Sequence, residues 1–444
     1  MALVLTRRLW HIGKNMSASD SQSHAGLAAF RHIDFVLYEI GRFFVVAATE
    51  MQSVAVGWQV YEITRRPIDL GYVGLVQFVP VIGLFLVAGH VVDRFNRKVV
   101  LLLCTMGMTM CSALLFEIAR SGTLNVKPIY AVLLLLGIIR AFNGPAGRSL
   151  LPALVPDEVF PNAVAWNATT FQAATILGPA LGGVLYAVFR GPAGVYATAV
   201  AASLVAFIAV VRMKLRRFER SREEVSLRAV LAGLHYIWTH KIILGSISLD
   251  LFAVLLGGSV ALLPVYAREI LHTGPWGLGM LRASPGIGAL LMAVALAYRP
   301  LRSRVGKTML ICVAAFGAFT IVFGISHSMI ISVIALVLVG ATDMVSVVVR
   351  GILVQVATPD AVRGRVNAVD MIFIGASNEF GEFESGVTAA WFGTVPAVII
   401  GGLGTLTVVS LWAWMFPELR NADRLIPSAG PSLGKIAVEE ATHS

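Results

Sequence analysis

Charge is scarce in this chain. Of 444 residues only 14% are Asp, Glu, Lys or Arg, whereas a soluble globular chain carries about 25%. Cysteine is scarcer still: Cys104, Cys111 and Cys312 are the three, and no Cys-x-x-Cys pair occurs. Two of them share one apolar run, so they read as small apolar filler and not as a disulfide or thiolate metal site. There is no Gly-x-x-x-x-Gly-Lys-Ser/Thr loop, which removes P-loop nucleotide hydrolysis. No Ser-His-Asp or metal-ligand spacing stands out, and the nine histidines lie in tails, loops or the ends of apolar runs. The chain is therefore not read as an enzyme, and neither a metal nor a bound cofactor is expected.

What is present is apolar. The hydrophobic fraction is 57%. A membrane span needs about 20 mostly apolar residues, and twelve segments qualify: 35–61, 70–91, 99–119, 129–151, 163–188, 195–211, 242–265, 278–297, 309–325, 329–349, 366–392 and 395–415. The expected fold is an all-α polytopic membrane protein in a lipid bilayer. A net charge of +10 could suggest nucleic acid, but the cations are spread over short loops and not over one basic domain.

The loops alternate in charge. One set holds Arg94, Arg97 and Lys98; Arg148; Arg212, Lys214, Arg216, Arg217, Arg220, Arg222 and Arg228; Arg299, Arg302, Arg304 and Lys307; and Arg350, Arg363 and Arg365. The other holds only Arg65, Arg66, Arg120, Lys127, Arg190 and Arg268. The positive-inside rule then predicts that both termini are cytoplasmic. The organisation expected is a disordered tail over 1–29, a six-helix bundle over 30–213, a cytoplasmic linker over 214–241 with an amphipathic helix, a second six-helix bundle over 242–416, and a tail over 417–444. Met16 could equally be the start. Leu231, Leu234 and Ile237 give the linker helix its apolar stripe.

The halves echo each other. Val155-Pro156-Asp157-Glu158-Val159 leads to Asn162-Ala163-Val164, and Thr358-Pro359-Asp360-Ala361-Val362 leads to Asn367-Ala368-Val369. Each follows a fourth span and precedes a fifth. The stretch Gly89 to Lys98 has Gly89, Asp93, Arg94, Arg97 and Lys98 between two long apolar runs. It resembles the loop between helices two and three of the major facilitator superfamily, Gly-x-x-x-Asp-Arg-x-x-Arg-Arg/Lys. Arg140 and Gly144 resemble that superfamily's fourth-helix motif, with Asn143 at the usual polar place. Gly178, Pro179, Gly182 and Gly183 resemble its fifth-helix motif, found in drug-export antiporters. Stretches 56–61, 363–367 and 377–382 look like the enterobactin-exporter-like branch.

The resemblance implies two pseudo-symmetric six-helix halves, alternating access, and outward movement of a small amphiphilic molecule, siderophore or drug, across the bacterial cytoplasmic membrane. The loop at Gly89–Lys98 would be an inner gate. The proton-motive force would supply the energy, by proton antiport, to a chain read as monomeric. An importer or a lipid or metabolite flippase on the same fold is the alternative, and a non-transporting sensor or scaffold is a third reading.

Ionisable groups inside spans are expensive, so each is a candidate for function. Glu50 and Gln52 stand in the first span, Arg140 in the fourth, Asp250 in the seventh, Arg282 in the eighth and Asp343 in the tenth. The eleventh holds Asp370, Asn378, Glu379, Glu382 and Glu384. A carboxylate removed from water gains by taking a proton, which is the chemistry of a proton-coupled carrier. Glu50, Arg140, Asp250, Asp343, Glu379, Glu382 and Glu384 are the coupling candidates. Gln52, Trp58, Asn143 and Asn378 are substrate candidates, and Trp58, Tyr61, Phe78, Phe142 and Phe171 would suit a bulky or aromatic cargo. Packing ion pairs are the competing explanation for the charges.

Overall fold

The computed structural model describes residues 26–214, 227–301 and 304–422. Most of both tails, Arg302 and the linker residues Arg216, Arg217, Arg220 and Arg222 lie outside the described residues. The helices are α1 Ile33–Thr64, α2 Pro67–Gly83, α3 Phe85–Arg94, α4 Arg97–Arg120, α5 Lys127–Leu150, α6 Phe160–Val188, α7 Pro192–Arg212, α8 Leu227–Thr239, α9 Lys241–Gly257, α10 Gly274–Tyr298, α11 Val305–Ile325, α12 Met329–Ala357, α13 Asp360–Phe392 and α14 Thr394–Met415.

Proline opens many of them. Pro67, Pro128, Pro161, Pro192 and Pro275 stand in first turns, where the missing N–H has no intrahelical partner to lose and φ is already helical. Pro80, Pro145, Pro179 and Pro285 stand inside helices, where each removes one ladder bond and loosens the axis. The second span breaks between α2 and α3, just past Pro80.

Among the described residues nine helical segments are long and apolar enough to cross a membrane, and α2 with α3 makes a tenth if taken as one broken span. Two long helices fail the apolarity test. The 32-residue α1 carries Asp34, Glu39, Arg42, Glu50 and Glu62; the 33-residue α13 carries Asp360, Arg363, Arg365, Asp370, Glu379, Glu382 and Glu384. These ten and two correspond to the twelve segments of the sequence.

The chain forms two compact units. One holds the described residues up to Val56 and from Val79 to 214; the other holds Gly57–Phe78 and the described residues from 227 onward. In the first, α4 packs on α7 and α5, α3 on α5, and α6 on α7. In the second, α11 packs on α14 and α12, α10 on α12, and α13 on α14. Counted as spans, the pairs three–six, three–four, two–four and five–six recur as nine–twelve, nine–ten, eight–ten and eleven–twelve. The internal repeat is thus a repeat of neighbours as well as of sequence.

Each unit has its own apolar centre. Phe35, Leu101, Leu150, Leu154, Val210 and Met213 are buried together in the first, and Leu249, Val305, Met309, Val349 and Leu353 in the second. Outward, Leu103, Met106, Met110 and Leu114 leave an exposed stripe at helical spacing on α4, a surface that suits lipid and not water. The linker helix α8 docks on the second unit. Ile237 is fully buried beside Val354, Val366 and Val369, and Tyr236 Oη donates to the Ala357 carbonyl at 3.0 Å. Leu231 of the expected apolar stripe stays exposed.

Small residues set the closest approaches. A Cβ on Gly182 of α6 would stand 2.9 Å from both Cα and O of Met51 on α1, and one on Gly178 would stand 2.6 Å from Cβ of Glu50. A Cβ on Gly381 of α13 would stand 2.9 Å from the Leu255 carbonyl oxygen on α9. Close small-residue packing replaces the hydrophobic drive that helices lack inside lipid. Gly182→Val is expected to lose about 1–3 kcal/mol of stability through overpacking, read as a lower unfolding midpoint in detergent. Gly351→Ala, where nothing stands within 4 Å, should leave the midpoint unchanged.

Candidate functional site

The densest buried charge lies in the second unit, where α9, α12 and α13 meet. Asp343, Ser346 and Arg350 recur at helical spacing on one face of α12. Arg350 Nη1 donates to Asp250 Oδ2 of α9 at 2.7 Å, and the two side chains are 5% and 6% exposed. Ser346 Oγ donates to the other Asp250 oxygen at 3.2 Å. Arg350 Nη1 also lies 3.5 Å from Asp370 Oδ1 of α13, a buried oxygen with no hydrogen-bond donor. Asp343 is half-buried and feels the charges of both Asp250 and Arg350. Two carboxyl groups therefore face one permanent cation, with Asp343 within electrostatic reach of both Asp250 and Arg350.

Arg350 is a correction to the sequence reading, which ends the tenth span at residue 349 and assigns the arginine to a basic loop. The helix continues to Ala357, and Arg350 is 4% exposed. The surrounding carboxyl groups offset the cost of taking the guanidinium out of water. The i, i+7 spacing of Asp343 and Arg350 was the signal available in the sequence. Arg148 likewise lies in the last turn of α5, and Arg363 and Arg365 in the first turns of α13.

The acidic residues of α13 divide among neighbours. Asp370 joins the Arg350 cluster. Glu379 and Glu382 bring carboxyl oxygens to Gly74 of α2, 3.1 and 3.0 Å from where a Cβ would be. Glu384 accepts from Thr388 Oγ1 on its own helix at 2.6 Å. Asn378 is exposed.

Also in the second unit, the hairpin Gly57–Phe78 is clasped by the segment after α9. Tyr61 Oη donates to Glu269 Oε1 at 2.6 Å, Arg268 Nη1 stands 3.3 Å from Glu62 Oε1, and the Arg268 guanidinium lies 5.4 Å over the ring of Trp58. Trp58 and Tyr61 are buried. Farther along, Phe78 meets Phe380 edge-on at 5.4 Å. The segment carrying Arg268 and Glu269, Tyr266–Ile270, is a π-helical turn, a geometry that re-aims side chains.

In the first unit the stretch Gly89–Lys98 closes α3 and opens α4, with Asp93 half-buried and Arg94 exposed. Asn96 caps α4, its Oδ1 accepting from Lys98 N at 3.0 Å. Arg97 Nη1 donates to the Ser149 carbonyl at 2.9 Å, and Lys98 Nζ donates to the carbonyls of Val211 and Met213 at 2.9 and 2.6 Å. The cations sit where the dipoles of α5 and α7 end, which pins those ends to α4.

Of the remaining candidates, Gln52 donates to Ser112 Oγ of α4 at 2.7 Å and is buried. Glu50 is half-buried with its Cβ against Gly178. Arg140 is half-buried within α5, and Asn143 has a buried Oδ1 without a donor. Pro179 and Gly183 are buried on α6. Glu39 and Arg42 of α1 were not singled out by sequence. Glu39 is 4% exposed and accepts from Asn167 Nδ2 at 2.9 Å, while the Arg42 guanidinium lies 5.3 Å over the ring of Phe171.

Residues 24–439 match the family model described as transmembrane secretion effector. Among curated relatives, the enterobactin exporter EntS of Citrobacter koseri is 27% identical over 399 residues, covering 88% of this chain and 93% of that one. EntS of Escherichia coli O157:H7 is 25% identical over 412 residues, covering 91% and 96%. Among solved structures, the nucleoside transporter NupG superposes with TM-score 0.64 at 14% identity, covering 86% of this chain and 99% of that one. A D-xylose-proton symporter gives 0.65 at 14%, covering 87% and 98%. With the model spanning nearly the whole sequence and the helical repeat in place, the chain belongs to the transmembrane secretion effector family of the major facilitator superfamily, multi-pass membrane transporters and not enzymes.

Proposed function

We propose that this protein exports a small amphiphilic organic molecule across the bacterial cytoplasmic membrane by alternating access, both termini cytoplasmic, in antiport with protons. The observation that carries the coupling is the cluster at Arg350. One guanidinium faces Asp250 and Asp370, with Asp343 within electrostatic reach, so full ionisation of the four groups gives one positive and three negative charges, a net −2. A site of low dielectric disfavours that excess, and a proton on Asp343 or Asp370 relieves it. The buried Asp370 Oδ1 that lacks a donor is one oxygen a proton would serve. Arg350 keeps its charge throughout and acts as the fixed counter-ion, while Asp250, already paired, holds it in place. Glu50, Arg140, Glu379, Glu382 and Glu384 are assigned secondary roles in this scheme. Resemblance to enterobactin exporters supports a siderophore-like cargo.

The test uses everted membrane vesicles and enterobactin as the trial substrate. Energised vesicles are expected to accumulate it, and a protonophore to abolish the accumulation. Asp343→Asn should lower accumulation on the order of ten-fold at normal expression, since it removes a protonation site without adding bulk. Accumulation that survives collapse of the proton gradient overturns the antiport reading.

A further inference from the structure

The linker helix α8 has a wider apolar face than the second unit covers. At about 100° per residue, Gly233, Ile237, Val230, Leu234, Trp238 and Leu231 follow one another around the helix as an unbroken apolar arc. The first four meet protein. A Cβ on Gly233 would stand 2.6 Å from the Arg365 carbonyl oxygen, Ile237 is fully buried, and Val230 and Leu234 pack on the same cluster. The last two do not: Trp238 is 70% exposed and Leu231 54%. Beyond Leu231 the surface turns polar, with His235 and Thr239 exposed. The bare edge continues the docked face and is bounded on its other side by polar groups.

The place of that edge in the fold says what covers it. Helix α8 ends at Thr239 and the membrane-crossing segment that opens with α9 begins at Lys241, so Trp238 stands at the level where the chain enters the bilayer. The starts of α9 and α11 and the chain after α14 gather at this face: Lys241 Nζ lies 3.3 Å from Glu418 Oε1, and Gly306 N donates to the Ala422 carbonyl at 3.0 Å. Two more exposed aromatics mark the same level, Tyr298 in the last turn of α10 and Trp414 in the last turn of α14. Such aromatics gather at the boundary between headgroups and acyl chains. The face is also the basic one, with Arg299, Arg304, Lys307, Arg363 and Arg365, and residues 212–241 carry eight Lys or Arg against three Glu. A polybasic stretch at the membrane surface attracts anionic lipid. Two exposed side chains offer far less than the roughly 800 Å² per partner that a stable protein interface buries.

We propose that the Leu231–Trp238 edge of α8 is a binding surface for anionic phospholipid of the cytoplasmic leaflet. Leu231 and Trp238 enter the boundary between headgroups and acyl chains, and the phosphates meet the surrounding cations. The docked side of the helix holds the corner between α12 and α13: Tyr236 Oη donates to the Ala357 carbonyl, and Ile237 packs on Val354 and Val366. Val354 lies one turn beyond Arg350, and Val366 one turn before Asp370. Lipid on the outer edge therefore braces the corner that carries the charged cluster. The proposal depends on neither the cargo nor the direction of its movement.

The experiment uses the full chain, with Cys104, Cys111 and Cys312 replaced by serine, in nanodiscs of phosphatidylcholine with or without phosphatidylglycerol. A nitroxide is attached at Leu231→Cys, Trp238→Cys or, for comparison, Thr239→Cys. Its relaxation by oxygen, which collects in lipid, is set against relaxation by a water-soluble nickel chelate. With phosphatidylglycerol present, positions 231 and 238 are expected to favour oxygen several-fold over position 239. In phosphatidylcholine alone that advantage should shrink. Phosphatidylglycerol should also raise the unfolding midpoint of the parent, and raise it less in a Leu231→Ser/Trp238→Ser variant, as linkage requires of a lipid that binds the folded edge. Matching midpoints of labelled and unlabelled protein in phosphatidylcholine verify folding. Nickel access at 231 and 238 equal to that at 239 places the edge in water and overturns the proposal. Protection from both reagents overturns it in favour of a covering protein segment or a second copy. An oxygen advantage indifferent to lipid charge overturns the choice of anionic lipid, and equal midpoint shifts in parent and variant overturn the brace.

Discussion

Arg350→Ala is expected to lose about 3–5 kcal/mol of stability, the cost of leaving buried carboxylates without their cation. That is a large share of the roughly 5–15 kcal/mol that holds a typical domain, so the variant should reach the membrane in reduced amount and unfold early in detergent. Asp250→Asn alone should cost less, because Asp370 still faces the guanidinium at 3.5 Å. Adding Asp250→Asn to Arg350→Ala should recover part of the loss, since one uncompensated charge is removed. The double-mutant cycle reads the coupling. An Arg350→Ala protein with a wild-type unfolding midpoint would show that the carboxyl groups are neutral at rest, and the counter-ion role would fall.

Locking the Tyr61–Glu269 contact is expected to stop transport. If the ends of α1 and α2 face outward, as the loop charges imply, cargo leaves only when hairpin Gly57–Phe78 parts from the segment carrying Arg268 and Glu269. A Tyr61→Cys/Glu269→Cys pair, in a background with Cys104, Cys111 and Cys312 replaced by serine, should cross-link with a short bifunctional thiol reagent. Export should drop on the order of ten-fold or more, as for other arrested gates. A reducible cross-linker should restore it on reduction, which separates gating from misfolding. Undiminished export with complete cross-linking would remove the clasp from the gating cycle. Arg268→Glu should act in the opposite sense, by placing a third carboxylate beside Glu62 and Glu269. The clasp should open more readily, measured as faster labelling of a Tyr61→Cys reporter.

The helical fold was legible because lipid imposes a simple code: long apolar runs separated by short loops of alternating charge. The charges of α1 and α13 make them the most highly charged of the twelve segments, yet enough apolar residues stand between those charges for both to read as spans. The site was only partly legible. Asp250 and Asp343 stood out because each lies well inside an apolar run. Arg350 was hidden by its position near a span end, where an arginine ordinarily marks a loop. Glu39 and Arg42 sit close to the start of the first span and were passed over for Glu50. Pairing across helices, such as Asp250 with Arg350, depends on how α9 and α12 rotate against each other, and no local spacing encodes that. Residues 57–78 cluster with the second unit despite their place in the first half of the chain, because Tyr61, Glu62, Gly71, Gly74 and Phe78 find their partners there.

The charged helices also constrain how the protein is made. A segment with several ionisable residues enters lipid reluctantly by itself, and α1 precedes the other described spans in the chain. Its close partner on the glycine face, α6, is synthesised four spans later, and Gln52 waits for Ser112 on α4. The nascent chain must therefore shelter α1 at the insertion machinery until those neighbours arrive. For α13 the order is reversed: α9 and α12 are already in the bilayer to receive Asp370 and Gly381. Substitutions at Gly182 should thus also act early, as a reduced yield of inserted chain, while those at Gly381 should leave a correctly inserted first half.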